Sequence, residues 1–406
     1  MKLTQDEKDL LSGKKGEIVA KLMDLLVKMG DARGAEEMVD VYSVHASTVI
    51  LEFTGYPGVE LMEEVRDTGV KFKAFTTVDP ISIDIEDWKT LGLSKDYAEL
   101  QLRSVKAFGE CGGVGEYTCT PWLVGNVPRR GQHAAWVETS AVIFANSMLG
   151  ARTNRHVDPS ALAVAICGKT PKYGFHLDEN RRGEILVEVK TELSGVLDYT
   201  ALGAYAASKF GPKVYVFEGI PQGVTMESLI RMSSAMSTWG NVAMYHIVGV
   251  TPDAPTREVA FGGNKEQEHL VVGRKELETI FDQFPRAKKG KKLVVIGCPH
   301  CTLVDLQKIA RLIDGKKVHE SVDFWVLSSR TNKILAKANG WLQSIEKAGG
   351  RIVADMCWFC SPSLDAFKFE SVATDSAKAA ITARQRKRVS TLASTEDCID
   401  IAIKGE

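Results

Sequence analysis

Three cysteines, Cys119, Cys298 and Cys357, lie far apart in the chain, and each stands in a short polar turn just after or beside an apolar segment. Three thiolates are one fewer than a closed tetrahedral metal site needs, and catalytic metal sites are the ones that leave a position open. Iron–sulfur clusters are held by thiolates of this kind. The three cysteines therefore predict a cluster with one exposed iron that acts as a Lewis acid.

Two further cysteines accompany this set, because Cys301 follows Cys298 and Cys360 follows Cys357 at Cys-x-x-Cys spacing. Two such pairs are also a zinc signature, so a zinc site is the alternative. The pairs are much farther apart than in a compact zinc ribbon, and the Trp-Phe inside the second pair is unusual for a zinc knuckle. The remaining thiols are expected to be core or surface residues: Cys111, Cys167 and Cys398.

Composition excludes several classes of function. The chain has 406 residues, of which 44% are hydrophobic and 25% charged, as expected for a globular protein of two or three domains. Lys plus Arg (51) nearly equals Asp plus Glu (52), so no global field favours nucleic acid or an anionic membrane. The polar start lacks the apolar core of a signal peptide, and apolar runs such as Ser160 to Cys167 are too short to cross a bilayer. We expect a cytoplasmic protein that binds neither nucleic acid nor membrane.

The elements that would position the thiols are those of an α/β protein with parallel sheets. Near the C-terminus the pattern predicts strand Leu293 to Gly297, helix Thr302 to Ile313, strand Asp323 to Leu327, helix Arg330 to Lys347 and strand Arg351 to Asp355. Cys298 and Cys357 would then emerge at the carboxyl edge of one sheet, where open α/β sheets bind ligands. Cys119, in the glycine-rich loop Gly109 to Arg130, would have to reach them from another domain, which predicts an interdomain cleft.

Three domains are expected. Residues 1–190 combine a helical lead-in with a first α/β domain that carries the Cys119 loop and the candidate substrate loops. Residues 191–290 form a second α/β region, and residues 291–406 form a C-terminal α/β domain, with the charged stretch Arg286 to Lys292 as the linker. Within the first domain we expect a strand at Val49 to Phe53 and a buried helix at Ala134 to Leu149.

Six motifs carry a resemblance to a known family. They read Tyr-Thr-Cys-Thr-Pro-Trp-Leu-Val-Gly-Asn-Val-Pro at 117–128, Ala-Trp-Val-Glu-Thr-Ser-Ala-Val at 135–142, Ala-Asn-Ser-Met-Leu-Gly-Ala-Arg-Thr-Asn-Arg at 145–155, Gly-Lys-Thr-Pro-Lys-Tyr-Gly-Phe-His at 168–176, Gly-Cys-Pro-His at 297–300 and Ala-Asp-Met-Cys at 354–357. Over nearly its whole length the chain resembles the catalytic large chain of the aconitase X family. The resemblance implies an aconitase-like multi-domain architecture, with parallel-sheet domains around an interdomain cleft.

Members of that family are iron–sulfur dehydratases related to aconitase, so the resemblance implies a hydro-lyase. It implies that Cys119, Cys298 and Cys357 hold a 4Fe–4S cluster, with 2Fe–2S and 3Fe–4S clusters as alternatives, whereas Cys301 and Cys360 lie outside the family pattern. The Gly-Asn-Val-Pro and Ala-Arg-Thr-Asn-Arg stretches favour the archaeal branch, which dehydrates 5-phosphomevalonate in a modified mevalonate pathway. The alternative substrate is cis-3-hydroxy-L-proline, the substrate of the bacterial branch, or another hydroxy acid.

Dehydration of a β-hydroxy acid requires a base, a Lewis acid for the departing hydroxyl and positive charge for the carboxylate. His176 and His45 are the predicted proton carriers or donors to substrate oxygen. Polar side chains in or near the loop after the alanine-rich segment are the predicted substrate contacts: Asn146, Ser147, Arg152, Thr153, Asn154, Arg155 and Lys169. Each has an ordinary structural alternative, such as a solvated arginine, a helix cap or a histidine satisfied in the core.

The resemblance also implies a second subunit. In the aconitase relatives the catalytic base is a serine on a mobile swivelling domain, and this chain is expected to lack that domain. We therefore expect a small partner subunit that supplies the domain and its serine and closes the cleft over a small hydroxy acid. A function of a different class, a non-catalytic iron–sulfur or zinc protein for electron transfer or sensing, would instead close the metal site with Cys301 or Cys360.

Overall fold

The computed structural model describes residues 1–285 and 290–406, so residues 286–289 of the expected linker lie outside the described residues. The helices are α1 (Gln5–Leu11), α2 (Glu17–Ala32), α3 (Leu51–Asp67), α4 (Lys95–Glu110), α5 (Thr139–Ser147), α6 (Ser160–Cys167), α7 (Gly195–Phe210), α8 (Met226–Gly240), α9 (Arg257–Phe261), α10 (Arg274–Phe281), α11 (Leu303–Ile313), α12 (Arg330–Ala338), α13 (Trp341–Ala348), α14 (Ser363–Phe367), α15 (Ala377–Gln385) and α16 (Thr395–Lys404). The strands are β1 (Met38–Asp40), β2 (Ser43–Ala46), β3 (Phe75–Val78), β4 (Ala134–Trp136), β5 (Lys169–Pro171), β6 (Ile185–Val189), β7 (Tyr215–Glu218), β8 (Tyr245–Ile247), β9 (Glu268–Val272), β10 (Lys292–Cys301), β11 (Val322–Ser328), β12 (Arg351–Ala354), β13 (Ser371–Thr374) and β14 (Val389–Leu392).

The first sheet contains three parallel strands in the order β3-β2-β4, and β1 pairs with β5 in a separate antiparallel ribbon. All residues of β2 are buried, as expected for a parallel strand covered on both faces. The loop that carries Cys119 returns to this sheet, because the Thr118 amide donates a hydrogen bond to the Val78 carbonyl at 3.1 Å. Since Val78 ends β3, Cys119 lies at the carboxyl edge of the first sheet.

The second sheet has the order β8-β7-β6-β9, and all of its strands are parallel. Strands and helices alternate along this part of the chain, with α7 after β6 and α8 after β7, as the sequence predicts. Its hydrophobic core contains Val187, Leu202 and Met232, and it also receives Ala377 and Ala380 from α15. The second sheet is thereby packed against the C-terminal part of the chain.

The third sheet has the order β12-β11-β10-β13-β14, again fully parallel. From β10 the chain builds outward through β11 and β12, and it then returns to the other side of β10 with β13 and β14. The strand order therefore reverses between β10 and β13. In open α/β sheets, ligands bind at the carboxyl ends of the strands at such a reversal.

A glycine shapes the end of β10. Gly297 has φ +108°, and a Cβ atom there would lie 2.3 Å from the Leu327 carbonyl oxygen on β11. The ladder between β10 and β11 stops at Ile296 and resumes only at Cys301, so the intervening residues leave the sheet. A side chain at position 297 would prevent the close approach that turns Cys298 out of the strand.

These sheets confirm the predicted α/β class with parallel sheets, but three local predictions are wrong. Val49 to Phe53 does not form a strand, since α3 begins at Leu51. Ala134 to Leu149 is not one helix, because β4 precedes α5. The helix expected at Arg330 to Lys347 is two, α12 and α13, separated at Gly340 in a left-handed conformation. Short apolar runs suit a buried helix as well as a strand, which explains the first two errors.

The first and third sheets share one hydrophobic core, which includes Val44 and Val78 from the first and Leu293, Val295 and Trp325 from the third. This shared core holds the carboxyl end of β3 close to that of β12, since the Ile81 amide donates to the Asp355 carbonyl at 2.7 Å. No helix of the described chain is long and apolar enough to span a lipid bilayer.

Candidate active site

One cavity of about 380 Å³ brings together the three thiols that the sequence singles out. Cys119, Cys298 and Cys357 all line it, and so does Cys360. We call this space the thiol cavity. Its wall also contains Asp79, Glu138 and Lys378, hydroxyl side chains from α8, and the apolar side chains Ile50, Phe53, Val137, Trp358 and Phe359. The space therefore has apolar walls and a few convergent polar groups, as small-molecule sites do.

His300 connects the three cysteine segments. Its backbone amide donates to Cys119 Sγ at 3.2 Å. Its ring Nε2 lies 3.2 Å from the carbonyl oxygen of Met356, and its Nδ1 lies 3.1 Å from Thr118 Oγ1. Burial lowers the pKa of His300 to about 4, so the ring is neutral at pH 7. Because a carbonyl only accepts, Nε2 carries the proton and Nδ1 accepts from the Thr118 hydroxyl.

The thiols of the cavity differ in their electrostatic surroundings. Burial raises the pKa of Cys119, and it raises that of Cys298 to about 11. The pKa of Cys357 is lowered to about 7, because the Cys360 thiol and the Phe359 and Cys360 amides donate hydrogen bonds to its sulfur. Cys301 and Cys360 are both buried, but Cys301, unlike Cys360, lies outside the cavity wall.

Thiols from three segments around one cavity suit an iron–sulfur cluster by their donor chemistry, since such clusters are held by cysteine thiolates. Within residues 1–285 and 290–406, no group of three or more Cys, His, Asp or Glu side chains is spaced to hold one metal ion. Ligands of a cluster bind different irons, so they need to surround a common space rather than meet at a point. The lining of the thiol cavity by Cys119, Cys298 and Cys357 satisfies that requirement.

A partly buried ion pair supplies the fixed charge of the cavity. Lys378, in α15, places Nζ 2.5 Å from Oε1 of Glu138. Glu138 also caps α5, because it accepts hydrogen bonds from the Ala141 amide at 2.7 Å and the Ser140 hydroxyl at 2.6 Å. Burial alone would raise the pKa of Glu138, but Lys378 and these donors outweigh burial and lower the pKa to about 2. Burial alone would lower the pKa of Lys378, but the negative charge of Glu138 raises it. Both groups are therefore charged at pH 7.

Asp79 lies in the cavity wall with a histidine behind it. Its Oδ1 is 2.9 Å from Nε2 of His45, whose Nδ1 is 2.9 Å from Thr77 Oγ1. Burial raises the pKa of Asp79 to about 6, although His45 opposes the increase. His45, one of the predicted proton carriers, is fully buried and does not line the cavity. Its link to the cavity is the hydrogen bond to Asp79.

Close to this pair, Ser47 also lines the cavity, and its hydroxyl donates to Asp158. The hydroxyl of Thr48 donates to the same carboxylate at 3.0 Å.

The predicted substrate-binding side chains lie outside the wall of the thiol cavity and form hydrogen bonds or ion pairs with other residues of the chain. Asn146 donates to the Thr153 carbonyl, and Ser147 accepts from the Tyr245 amide. Asn154 accepts from the Phe175 amide, and Arg155 donates to Asn241 and Val242. Thr153 accepts a hydrogen bond from the Trp136 amide. Arg152 forms ion pairs with Asp178 and Asp253, and Lys169 forms ion pairs with Asp40 and Glu7. Their role in substrate binding stays a prediction.

His176 is also placed away from the thiol cavity. Its Nδ1 lies 2.9 Å from Nδ1 of His133, and burial lowers its pKa well below the usual value. It is therefore neutral at pH 7, and its role as a proton carrier stays a prediction. The cavity residues that sequence reasoning missed are Asp79, Glu138 and Lys378. Glu138 stands inside a motif that could have drawn attention to it, whereas Lys378 lies in an ordinary alanine-rich helix.

Comparison with known proteins identifies the family. Three family models match the chain: the first domain of aconitase X at residues 1–179, the second at 183–282 and the third at 291–404. The chain is 40% identical over 384 residues to the phosphomevalonate dehydratase large subunit of Methanothermobacter thermautotrophicus, covering 93% of this chain and 92% of that one. It is 38% identical over 387 residues to the protein of that name from Methanocaldococcus jannaschii, covering 94% of each.

A longer relative and a solved structure are also similar. The chain is 33% identical over 353 residues to cis-3-hydroxy-L-proline dehydratase of Pseudomonas aeruginosa, covering 86% of this chain but 60% of that protein. The crystal structure of Thermococcus kodakaraensis aconitase X in its holo-form superposes with a TM-score of 0.90 at 33% identity, covering 99% of this chain and 100% of that one.

Proposed function

This chain belongs to the aconitase X family and is a dehydratase, and from that premise we propose that it is the large subunit of an iron–sulfur hydro-lyase acting on 5-phosphomevalonate. The observation that carries the proposal is the thiol cavity, where three cysteines from distant segments meet the ion pair of Lys378 and Glu138. A thiol set with an open position and fixed charge is what removal of water from a β-hydroxy acid requires.

Cys119, Cys298 and Cys357 would hold the cluster, a 4Fe–4S cluster in the first instance. When bound, the cluster supplies Lewis acidity toward the departing hydroxyl oxygen through an iron that lacks a protein thiolate. Cys360 hydrogen-bonds to Cys357 and lines the same cavity, so it is a neighbouring thiol rather than one of the three proposed ligands. Cys301 does not line the cavity, which supports the choice of Cys298 from the first Cys-x-x-Cys pair.

Lys378 is the residue we assign to the substrate carboxylate. Its ammonium group is charged, faces the cavity and is fixed by Glu138, so it donates to a carboxylate without first being reoriented. As the α-proton leaves, negative charge grows on the carboxylate, and a pre-positioned cation stabilises that charge more than it stabilises the substrate. Sequence analysis predicts this carboxylate-binding role for Arg152 and Arg155 instead.

Asp79, which also lines the cavity, is the residue we assign to a hydrogen-bonding or proton-holding role. With a pKa of about 6 it is mostly ionised at pH 7, and His45 orients it. It can therefore accept a hydrogen bond from the substrate hydroxyl before that group departs. The base for the α-proton is assigned to the serine of a small partner subunit.

The names and identities of the relatives support phosphomevalonate as the substrate and a separate partner. The chain is 40% and 38% identical to two phosphomevalonate dehydratase large subunits and 33% identical to the hydroxyproline dehydratase. The words "large subunit" in the names of the former imply a small subunit, which we propose supplies the swivelling domain and closes the cavity. The competing substrate, cis-3-hydroxy-L-proline, rests on the 33% identity to the longer relative.

The test is anaerobic purification of the chain with its candidate small subunit, followed by assays of water removal from both substrates. We expect iron and acid-labile sulfide in the complex, turnover of 5-phosphomevalonate and loss of both metal and turnover in Cys298→Ala. Cys301→Ala is the matched control, because it removes a thiol three residues away that does not face the cavity. Turnover of hydroxyproline alone would overturn the substrate, and full activity of Cys298→Ala would overturn the mechanism.

A further inference from the structure

Arg231 connects the second sheet to the turn that carries Cys298. It lies in α8, which packs on the second sheet, and its side chain is only 2% exposed. Its Nη1 donates to the carbonyl oxygen of Pro299 at 3.0 Å. Pro299 immediately follows Cys298, so this bond holds the turn from outside the third sheet and from a part of the chain remote in sequence.

The same guanidinium group spans the strand reversal of the third sheet. Its Nη2 lies 3.4 Å from Oδ2 of Asp375, just beyond β13, while Pro299 lies in the segment where β10 leaves the sheet. Asp305, in α11, is 3.9 Å away. Burial alone would lower the pKa of Arg231, but the charges of Asp375 and Asp305 raise it, so the group stays charged. A buried guanidinium with two carboxylates and a carbonyl as partners keeps two of them when the third is weakened, so its bond to Pro299 does not depend on Asp375 alone.

A second contact from α8 holds the other end of the turn. Glu227 lies one helical turn before Arg231 on the same face, and its Oε1 accepts a hydrogen bond from the Thr302 hydroxyl at 2.8 Å. The two α8 side chains therefore hold residues 299 and 302. Cys301, between these two residues, is buried and does not line the thiol cavity.

From these contacts we propose that Arg231 is a positioning residue that fixes the Cys298 turn, and with it the Cys298 thiol, in the wall of the thiol cavity. The inference rests on the proposed function, because that function makes Cys298 a cluster ligand. Arg231 itself does not line the cavity and acts through the Pro299 carbonyl. Its position makes the thiol cavity depend on the packing of the second sheet against the third.

The test measures how well the Cys298 thiol is held in the cluster-free chain. The rate of alkylation of Cys298 by iodoacetamide is followed by peptide mass spectrometry, with Cys357 in the same sample as the internal reference. In Arg231→Lys, which keeps the charge but loses the guanidinium fork, we expect the relative rate of Cys298 to rise about 10- to 100-fold, as for loss of one hydrogen bond from a charged donor. Iron uptake by Arg231→Lys on anaerobic reconstitution should fall as well.

Two variants separate this role from general loosening. Asp375→Asn weakens the ion pair but keeps the bond from Arg231 to Pro299, so we expect its Cys298 rate to stay within about 2-fold of the native chain. Arg274→Lys is the matched control, since Arg274 also joins an aspartate, Asp198, to a backbone carbonyl, that of Glu192, but lies away from the thiol cavity. It should leave Cys298 unchanged.

An unchanged Cys298 rate in folded Arg231→Lys, or an equal rise in Asp375→Asn, overturns the role of Arg231. If near-ultraviolet circular dichroism shows that Arg231→Lys is unfolded, Arg231→Met/Asp375→Asn provides the same readout without an unpaired charge on Asp375. A native chain that takes up no iron refutes the proposed function but leaves the effect of Arg231 on Cys298 intact. The two failures are therefore distinguishable.

Discussion

Replacing Lys378 by methionine tests the assignment of the cavity's fixed positive charge. Methionine retains most of the apolar stem and removes the ammonium group. Glu138, which is 7% exposed, would then lose the partner that holds its pKa near 2, while its bonds from Ser140 and Ala141 would remain. Because only these two bonds would then oppose the effect of burial, the pKa of Glu138 should rise.

The expected size of the effect follows from the surroundings of the pair. Truncating one partner of a fully buried ion pair costs about 3–5 kcal/mol, and an exposed pair contributes about 0–1 kcal/mol. Lys378 is 28% exposed, so we expect Lys378→Met to lower the free energy of unfolding by an intermediate amount, about 1–3 kcal/mol. Loss of a fixed charge from the reacting carboxylate should lower kcat/KM by about 100- to 1000-fold, as for removal of one preorganised donor.

The double variant Lys378→Met/Glu138→Gln separates the two effects. The amide of glutamine is neutral, so the buried unpaired charge disappears and the stability lost in the single variant should largely return. Activity should not return, because no cation faces the substrate carboxylate. Urea unfolding and dehydratase assays of the four proteins in this cycle are the measurements. Recovery of kcat/KM in the double variant, or native kcat/KM in Lys378→Met, would refute the assignment and leave the pair a purely structural role.

Two further predictions concern two histidines, His45 behind the cavity wall and His300 within it. Asp79, with a pKa of about 6, must be ionised to accept a hydrogen bond from the substrate, so kcat/KM should fall as the pH drops through about 6. Because His45 lowers the pKa of Asp79, His45→Gln should move the acidic limb of the pH–rate profile to higher pH. An unmoved limb would exclude Asp79 as its source. His300→Ala should lower the free energy of unfolding by about 2 kcal/mol or more, because Thr118 and the Met356 carbonyl each lose a buried partner. His300→Gln should restore part of this loss, because the amide nitrogen of glutamine can replace Nε2. Equal melting temperatures for the two variants would contradict the assigned bonds.

Much of the C-terminal sheet could be predicted because its signals are local. Alternating apolar strands and amphipathic helices identify α11, β11 and β12 to within one residue, and β10 except for its end, which lies at Cys301 rather than Gly297. Parallel pairing then places Cys298 and Cys357 at one edge. The order of β13 and β14 on the other side of β10 is not a local property. It depends on which edge of the sheet offers apolar surface once the helices have packed, and no residue spacing in the sequence predicts which edge that is.

The roles of the charged residues were harder to predict for a related reason. Arg152 lies in a motif-rich loop and Lys378 in a plain helix, yet Lys378 faces the thiol cavity while Arg152 pairs with Asp253 and Asp178 elsewhere. A guanidinium in a polar loop has the right chemistry for a carboxylate, but chemistry alone does not say whether the carboxylate is a substrate or an aspartate of the same chain. Only tertiary packing decides between the two.

Packing also explains why the thiol cavity draws residues from every sheet. Cys119 is held at the carboxyl end of β3, and Cys298 and Cys357 stand at the carboxyl edge of the third sheet, while α8 of the second sheet holds the Cys298 turn. Each sheet alone would present its thiols to water. Assembly of the sheets places the apolar side chains of Trp358 and Phe359 and the charged side chains of Lys378 and Glu138 in one wall with those thiols. Beside apolar surface a single ammonium group acts more strongly on a developing charge than it would in bulk solvent, so the packing that forms the cavity also sets the strength of its electrostatics.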